Sequence, residues 1–159
     1  MTEATLPKLL PFAIESTWIT SKWELLDKYL PTGSDQTSGD FNIGVGAALN
    51  ALRQGKPKSF RKIVNELRRN VAKGLTAGVV ASFQASHDSV MKLHVLAEME
   101  LVADARATSE RGTTAVFETL DRRLEMLGGC ISDKQYLLGV RRAVIELSYV
   151  PPIQFPLRC

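Results

Sequence analysis

Two histidines and a glutamate are the residues best spaced to hold a metal ion. His87, His94 and Glu98 lie seven and four residues apart, which aligns them along one face of a predicted helix. A zinc site on a helix usually shows a tighter pair of ligands and a third strong one. The face around these residues is mostly apolar, so we expect packed or capping histidines, with no metal and no other cofactor.

Short motifs that bind nucleotides or activate nucleophiles are incomplete. Gly44-Val45-Gly46 resembles half of a dinucleotide fingerprint, but the third glycine is absent and no strand precedes it. Gly55-Lys56-Pro57 lacks the rest of a phosphate loop, and no serine lies in a Gly-x-Ser-x-Gly elbow. The His-Arg-Asp and Asp-Phe-Gly triplets of protein kinases are also absent. The sequence therefore predicts no catalytic residues, and close helix packing explains the paired glycines better.

Positive charge is concentrated between Arg53 and Lys73, where eight Lys or Arg residues accompany a single acid, Glu66. The simplest interpretation is a solvated helix face. Two alternatives are a surface that contacts nucleic-acid phosphates and a surface that docks on acidic protein. Without interleaved aromatic residues, nucleic acid is not favoured. The candidate residues are Lys58, Arg61, Lys62, Arg68, Arg69 and Lys73.

Length and composition fit one globular helical unit. The chain has 159 residues, of which 45% are hydrophobic and 7% aromatic, and alternating β-branched residues are scarce. No apolar run is long enough to cross a bilayer, and residues 1–10 lack the layout of a secretory signal. We therefore expect an intracellular protein without a membrane partner. Cys130 and Cys159 show no metal-ligand spacing and are not expected to form a disulfide.

Capping signals and breakers divide the chain into about seven predicted helices. Pro11 is expected to open the first helix, and Ser21 with Glu24 forms a predicted capping box at the start of the second. Asp40 and Ser59 are the predicted N-caps of the third and fourth helices, whose apolar positions recur at helical spacing.

The fold class that this pattern predicts is all-α, with antiparallel helical hairpins stacked as in a tetratricopeptide-like α-solenoid. The fifth predicted helix, from Ser86 to about Ala105, is apolar on more than one face and should lie between two neighbours. A closed helical bundle is the alternative, because the repeats are not similar enough to prove a period. We expect a helical-repeat domain over residues 1–148 and an irregular Pro-rich tail over residues 149–159.

The stretch from Trp18 to Leu30 resembles the FAT domain of phosphatidylinositol-3-kinase-related kinases, in the branch of the ATR checkpoint kinases. The similarity lies in the pattern Trp-x-x-x-x-Trp-x-Leu-x-x-x-Tyr-Leu. Later segments resemble the family in the same order, and the matches together span roughly residues 12–148. These segments are Ser82-Phe83, Val90–Glu100, Arg123–Met126 and Val140–Val144.

The resemblance implies a non-catalytic helical scaffold segment of an ATR-like serine/threonine protein kinase that acts in nuclear DNA-damage checkpoint signalling. In that family the FAT solenoid wraps the kinase domain, helps to set its active state and contributes to dimer contacts. The implied partners are the kinase domain, the adjoining helical repeats, a second copy and an ATRIP-type protein. Six residues are expected to be structural: Trp18, Trp23, Tyr29, Phe60, Leu93 and Leu124.

Two other function classes remain open from the sequence. One is a stand-alone helical-repeat adaptor that binds a protein or peptide, and the other is a small basic nucleic-acid-binding domain. The Pro-rich tail stands where the family would continue with further hairpins, which suggests a fragment or a truncated product. In either case we expect exposed apolar surface, self-association or marginal stability.

Overall fold

A computed structural model describes residues 6–30, 39–78, 82–105, 110–128 and 130–149. Within these ranges the chain forms seven α-helices and no β-strand, which confirms the predicted class and helix number. Each of the described helices is too short or too polar to cross a lipid bilayer. The tail was predicted to begin at residue 149, but Tyr149 is the last residue of α7, and residues 150–159 lie outside the described residues. The helices are α1 (Leu6–Ile19), α2 (Trp23–Tyr29), α3 (Phe41–Arg53), α4 (Pro57–Gly78), α5 (Phe83–Ala105), α6 (Glu110–Met126) and α7 (Ile131–Tyr149).

From α1 to α6 each helix packs against the next one along the chain, and all seven helices contribute to one core. α1 packs against α2 and α3, α3 against α4, and α4 against α5. α5 is enclosed by α4, α6 and α7, so the prediction that it lies between neighbours is confirmed. α7 contacts α5 and also reaches α3 and α1, and the end of the array therefore curls back onto its beginning.

The core is continuous along the helices. α3 is apolar on almost every side, and residues 43–49 are all buried. α4 is strongly one-sided, because it buries an apolar stripe and leaves its cations outside. The largest fully buried side chains come from helices throughout the described part of the chain, among them Trp18, Leu49, Leu96, Leu120 and Leu137.

The predicted N-cap of α3 is confirmed by local hydrogen bonds, whereas the predicted N-cap of α4 is corrected by the position at which that helix begins. Asp40 caps α3, since its Oδ1 accepts from the amides of Asn42 at 2.9 Å and Ile43 at 3.2 Å. Ser59 is not a cap, because α4 begins two residues earlier at Pro57. Proline suits the first helical position, where its fixed φ is already helical and its missing amide would have no partner.

The starts of α1 and α5 also lie earlier than predicted. α1 begins at Leu6, so the prediction that Pro11 opens it was wrong. Pro11 lies close enough to the helix start that its missing amide removes one hydrogen bond without dividing a long helix. α5 begins at Phe83, and the hydroxyl of Ser82 accepts from the amide of Gln84 at 3.1 Å.

The predicted capping box at the start of α2 was wrong. Ser21 has φ +55°, in the left-handed region, and closes α1. The following amide, of Lys22, donates to the carbonyl of Thr17 at 2.8 Å. Lys22 is the N-cap residue of α2 and makes no side-chain cap, while the Ser21 hydroxyl donates to Glu146 of α7 at 2.8 Å. A distant carboxylate has therefore replaced the local partner.

The glycines of α3 permit close helix packing, as the sequence indicated. A Cβ at Gly46 would lie 2.4 Å from Cγ2 of Ile14, and one at Gly44 would lie 2.3 Å from Cδ2 of Leu67. α1 and α4 therefore approach the backbone of α3 on its two sides. Ile14 is fully buried and β-branched, so it has little freedom to move aside.

Gly46→Ala is expected to destabilise the fold by about 1–3 kcal/mol through overpacking. Gly74→Ala is the matched control, since a Cβ at Gly74 would meet nothing within 4 Å. The control should raise stability by up to about 1 kcal/mol, the helix-propensity difference between glycine and alanine. Urea unfolding followed by circular dichroism measures both, and equal midpoints for the two variants would contradict the packing argument.

Candidate scaffold residues and interaction surface

Trp18 joins the first helix to the last. Its side chain is fully buried, and its ring meets the ring of Tyr136 edge-on, with centroids 5.7 Å apart and planes at 89°. Gly139 provides space beside the indole, because a Cβ there would lie 3.5 Å from Cζ3 of Trp18. Edge-on aromatic pairs contribute beyond their burial, so this contact stabilises the return of α7 onto α1.

Trp23 and Ser21 bind the same carboxylate on α7. The indole N–H of Trp23 donates to Oε1 of Glu146 at 3.0 Å, and the Ser21 hydroxyl donates to Oε2 at 2.8 Å. One carboxylate of α7 therefore binds both Ser21, in the turn between α1 and α2, and Trp23, the first residue of α2. The sequence analysis did not identify Glu146. A single carboxylate within the apolar run Ala143–Leu147 is the feature that could have indicated it.

The other predicted structural residues lie at different depths. Phe60 is buried in the core, whereas Leu93 and Leu124 are half-buried. Tyr29 lies at the surface with 42% of its area exposed. Their structural roles remain predictions, and the depth of burial sets the order in which truncation should matter.

A chain of hydrogen bonds links α7, α3 and α1. The Tyr136 hydroxyl donates to Oδ1 of Asn42 at 3.0 Å, and Nδ2 of Asn42 donates to Oε2 of Glu15 at 2.9 Å. Burial raises the pKa of the Tyr136 hydroxyl, and the charges of Glu15 and Asp40 raise it further. Burial also raises the pKa of Glu15. These polar groups lie at the junction of three helices, where each partner satisfies the next.

A buried ion pair connects α5, α6 and α7. Glu98 is 1% exposed and Arg141 8% exposed. Nε of Arg141 donates to Oε2 of Glu98 at 3.0 Å, and Nη2 donates to Oε1 at 3.1 Å, which is the bidentate arrangement. Nη2 also donates to the carbonyl of Leu120 at 2.8 Å, and Nη1 lies 3.3 Å from Oδ1 of Asp121 on α6.

His94 lies against this ion pair. Its Nε2 is buried 3.4 Å from Oε1 of Glu98, but the Glu98 oxygens already accept from Arg141 and no well-aligned hydrogen bond forms. Burial lowers the pKa of His94. The Glu98 carboxylate opposes this effect, and the positive charges of Arg123 and Arg141 reinforce it. The folded protein therefore favours the neutral imidazole.

His87 lies elsewhere on α5 and binds α7. Its Nε2 is 2.8 Å from Oδ2 of Asp133, and this hydrogen bond lowers the pKa of Asp133. The structure thus gives each of the three candidate metal ligands a protein neighbour: Asp133 for His87, Glu98 for His94, and Arg141 for Glu98. Among the described residues, no three His, Cys, Asp or Glu side chains converge as metal ligands would.

The structure divides the predicted basic face into two sets. Arg61 pairs with Asp104 at 2.8 Å, and Arg68 pairs with Glu100, both on α5. Arg53, at the end of α3, pairs with Asp27 of α2. These three arginines bind neighbouring helices. Lys58, Lys62 and Arg69 are exposed along the outer side of α4, and Lys73, the last residue of the predicted face, is also exposed.

Arg141→Met is expected to cost about 3–5 kcal/mol, because it leaves the Glu98 charge buried without its partner. The double variant Glu98→Leu/Arg141→Met should lose less than the single variant, since it removes both charges. Arg122→Met is the control at an exposed position of α6 and should change stability by less than about 0.5 kcal/mol. Urea midpoints decide, and a single variant no less stable than this control would contradict the role of the ion pair.

Protonation of His94 is expected to weaken the fold below neutral pH. Because the pKa of His94 is lowered in the folded state, its stabilising effect is present above the unfolded pKa of about 6.5 and is lost as the pH falls below it. Stability of the natural protein should therefore drop more steeply between about pH 7 and pH 5 than that of His94→Gln.

Urea midpoints at several pH values measure this difference, and His87→Gln controls for removal of a histidine elsewhere. A His94→Gln variant with the full pH dependence of the natural protein would show that another group is responsible.

Comparison with known proteins places this architecture in a family. The chain matches the FAT domain over residues 10–150. It is also 21% identical over 154 residues to a serine/threonine-protein kinase ATR of Oryza sativa subsp. indica, and it has the same identity to the corresponding protein of subsp. japonica.

These alignments cover 86% of this chain and 6% of each relative, so the chain spans a small part of the length of the curated relatives it matches. No solved structure is significantly similar to it. The family match covers α1 to α7 almost completely, in agreement with the resemblance inferred from the sequence, and the chain belongs to the FAT domain family.

Proposed function

We propose that this chain is a non-catalytic scaffold segment of an ATR-like serine/threonine protein kinase. The observation that carries the proposal is the collinear similarity to two ATR kinases along 86% of the chain, together with the FAT-domain match. The contribution of such a segment is mechanical: a packed set of helices that holds other parts of a large protein in place. Catalysis then belongs to the kinase domain of the parent assembly.

The distribution of exposed apolar side chains supports a place within a larger assembly. Phe83 is 88% exposed and Met126 83% exposed, at the start of α5 and the end of α6, and Ile131 at the start of α7 is also exposed. Phe12 is exposed on the outer side of α1. Large exposed apolar residues commonly mark surfaces that a neighbour covers. We assign these surfaces to adjoining helical repeats of the same assembly.

We further propose a cellular setting and additional partners from the similarity to ATR kinases. If the chain serves an ATR-like kinase, its setting is the nucleus and its pathway is the response to damaged DNA. A second copy of the assembly and an ATRIP-type protein are the further partners that we propose. The nuclear setting and both partners rest on the family alone.

Affinity purification from the cells that express the chain tests the proposal. An epitope-tagged chain should recover peptides of a phosphatidylinositol-3-kinase-related kinase domain, either in the same polypeptide or as a co-purifying protein. Arg141→Met, which disturbs the core, should lose this association, whereas the exposed substitution Arg122→Met should keep it. Sequencing of the encoding transcript shows whether a kinase domain follows in the same reading frame.

Two results would contradict the proposal. One is recovery of the intact tagged chain with an unrelated peptide or protein partner and no kinase, which would favour the adaptor. The other is phosphotransfer by the purified 159-residue chain itself.

A further inference from the structure

The outer side of α4 carries a straight row of cations. Lys58, Lys62 and Arg69 are exposed and follow a spacing of four and seven residues. At 3.6 residues per turn they fall within about 40° of one another around the helix axis, and they extend over about 17 Å. In the part of the chain that the structure describes, none of the three forms an ion pair with a carboxylate.

On the inner flank of α4, the side that faces α5, cations of similar spacing form ion pairs within the chain. Arg61 and Arg68 lie seven residues apart and pair with Asp104 and Glu100, which lie four residues apart on α5. The earlier arginine meets the later carboxylate, as expected for antiparallel helices. The flank therefore recognises carboxylates placed about one turn apart on a neighbouring helix.

The outer row repeats this pattern one position further around the helix. Lys62 directly follows Arg61, and Arg69 directly follows Arg68. The second pair therefore has the same seven-residue separation as the first, but on a different side of the helix. We propose that this row, defined by Lys58, Lys62 and Arg69, docks an acidic helix of a partner protein whose carboxylates recur at one-turn spacing. This inference does not depend on the identity of the kinase.

The chemistry of the row favours acidic protein over nucleic acid. Phe60 is the only aromatic residue of α4, and it is buried in the core, so the exposed side offers no ring on which a base could stack. The neutral residue Asn65 lies on the row between Lys62 and Arg69, and Glu66, the acid of this stretch, lies about 40° further around the helix than Lys62. Exposed ion pairs contribute little individually, so the contact orients a partner and weakens as salt is added.

A designed peptide tests the inference directly. The probe is an alanine-rich helical peptide of about 20 residues with glutamates at one-turn spacing along one face, and the control peptide carries glutamine at those positions. Fluorescence anisotropy at about 0.05 M and about 0.2 M salt should show binding of the glutamate peptide that weakens with salt.

The charge-reversal variant Lys62→Glu/Arg69→Glu should bind the glutamate peptide at least about tenfold more weakly. Lys28→Glu/Arg122→Glu is the matched control, since it changes the net charge equally at exposed positions of α2 and α6. This control should remain within about threefold of the natural protein, because it alters only the distant field. Circular dichroism confirms that all proteins compared keep the same helical content.

Three results would overturn the inference. The first is equal weakening by both charge-reversal variants, which would indicate a general effect of net charge. The second is that the glutamate and glutamine peptides bind equally well, or that neither peptide binds. The third is tighter binding of a DNA duplex than of the glutamate peptide, lost in Lys62→Glu/Arg69→Glu, which would assign the row to nucleic acid.

Discussion

The ion pair between Arg141 and Glu98 is the interaction on which the arrangement of the last three helices depends. Both groups are almost completely removed from water, so their charges are tolerated only because each finds its partners in place. Arg141 satisfies Glu98 of α5 with two parallel hydrogen bonds and also donates to the carbonyl of Leu120 on α6. A shift of α7 by one turn would separate these charges, and the pair therefore specifies the register of α7.

α7 is the helix that connects the later helices of the array to the earlier ones. Along its length, Tyr136 contacts Trp18 and Asn42, Arg141 contacts Glu98, and Glu146 accepts from Ser21 and Trp23. Its partners thus belong to α1, the turn before α2, the first residue of α2, α3 and α5. This combination of an apolar helix with polar contacts at separate heights makes the packing specific, because sliding the helix would leave several buried groups without partners.

If the chain acts as the scaffold segment proposed above, such specificity matters more than chemistry. A segment of this kind must resist deformation, and close-packed helices have low compressibility. The division of charge on α4 fits the same role. One flank of cations binds the neighbouring helix within the chain, whereas the outer row is left for an external partner. The helix can therefore stabilise the fold and present a docking surface at the same time.

The sequence by itself determined the helices. Apolar residues at helical spacing, the Asp40 cap and the breakers predict seven helices, and the pattern from Trp18 to Leu30 indicates the family. The paired glycines of α3 were also interpreted correctly, since close packing needs only small residues at the right spacing.

Only the tertiary structure decided which polar groups meet. Ser21 and Glu146 are separated by 125 residues, and Glu98 and Arg141 by 43, so no local rule could pair them. The same holds for the basic residues of α4, whose division into paired and outward sets depends on where α5 lies. Local propensity acts over a few residues, whereas burial and charge pairing depend on the neighbours that folding brings together.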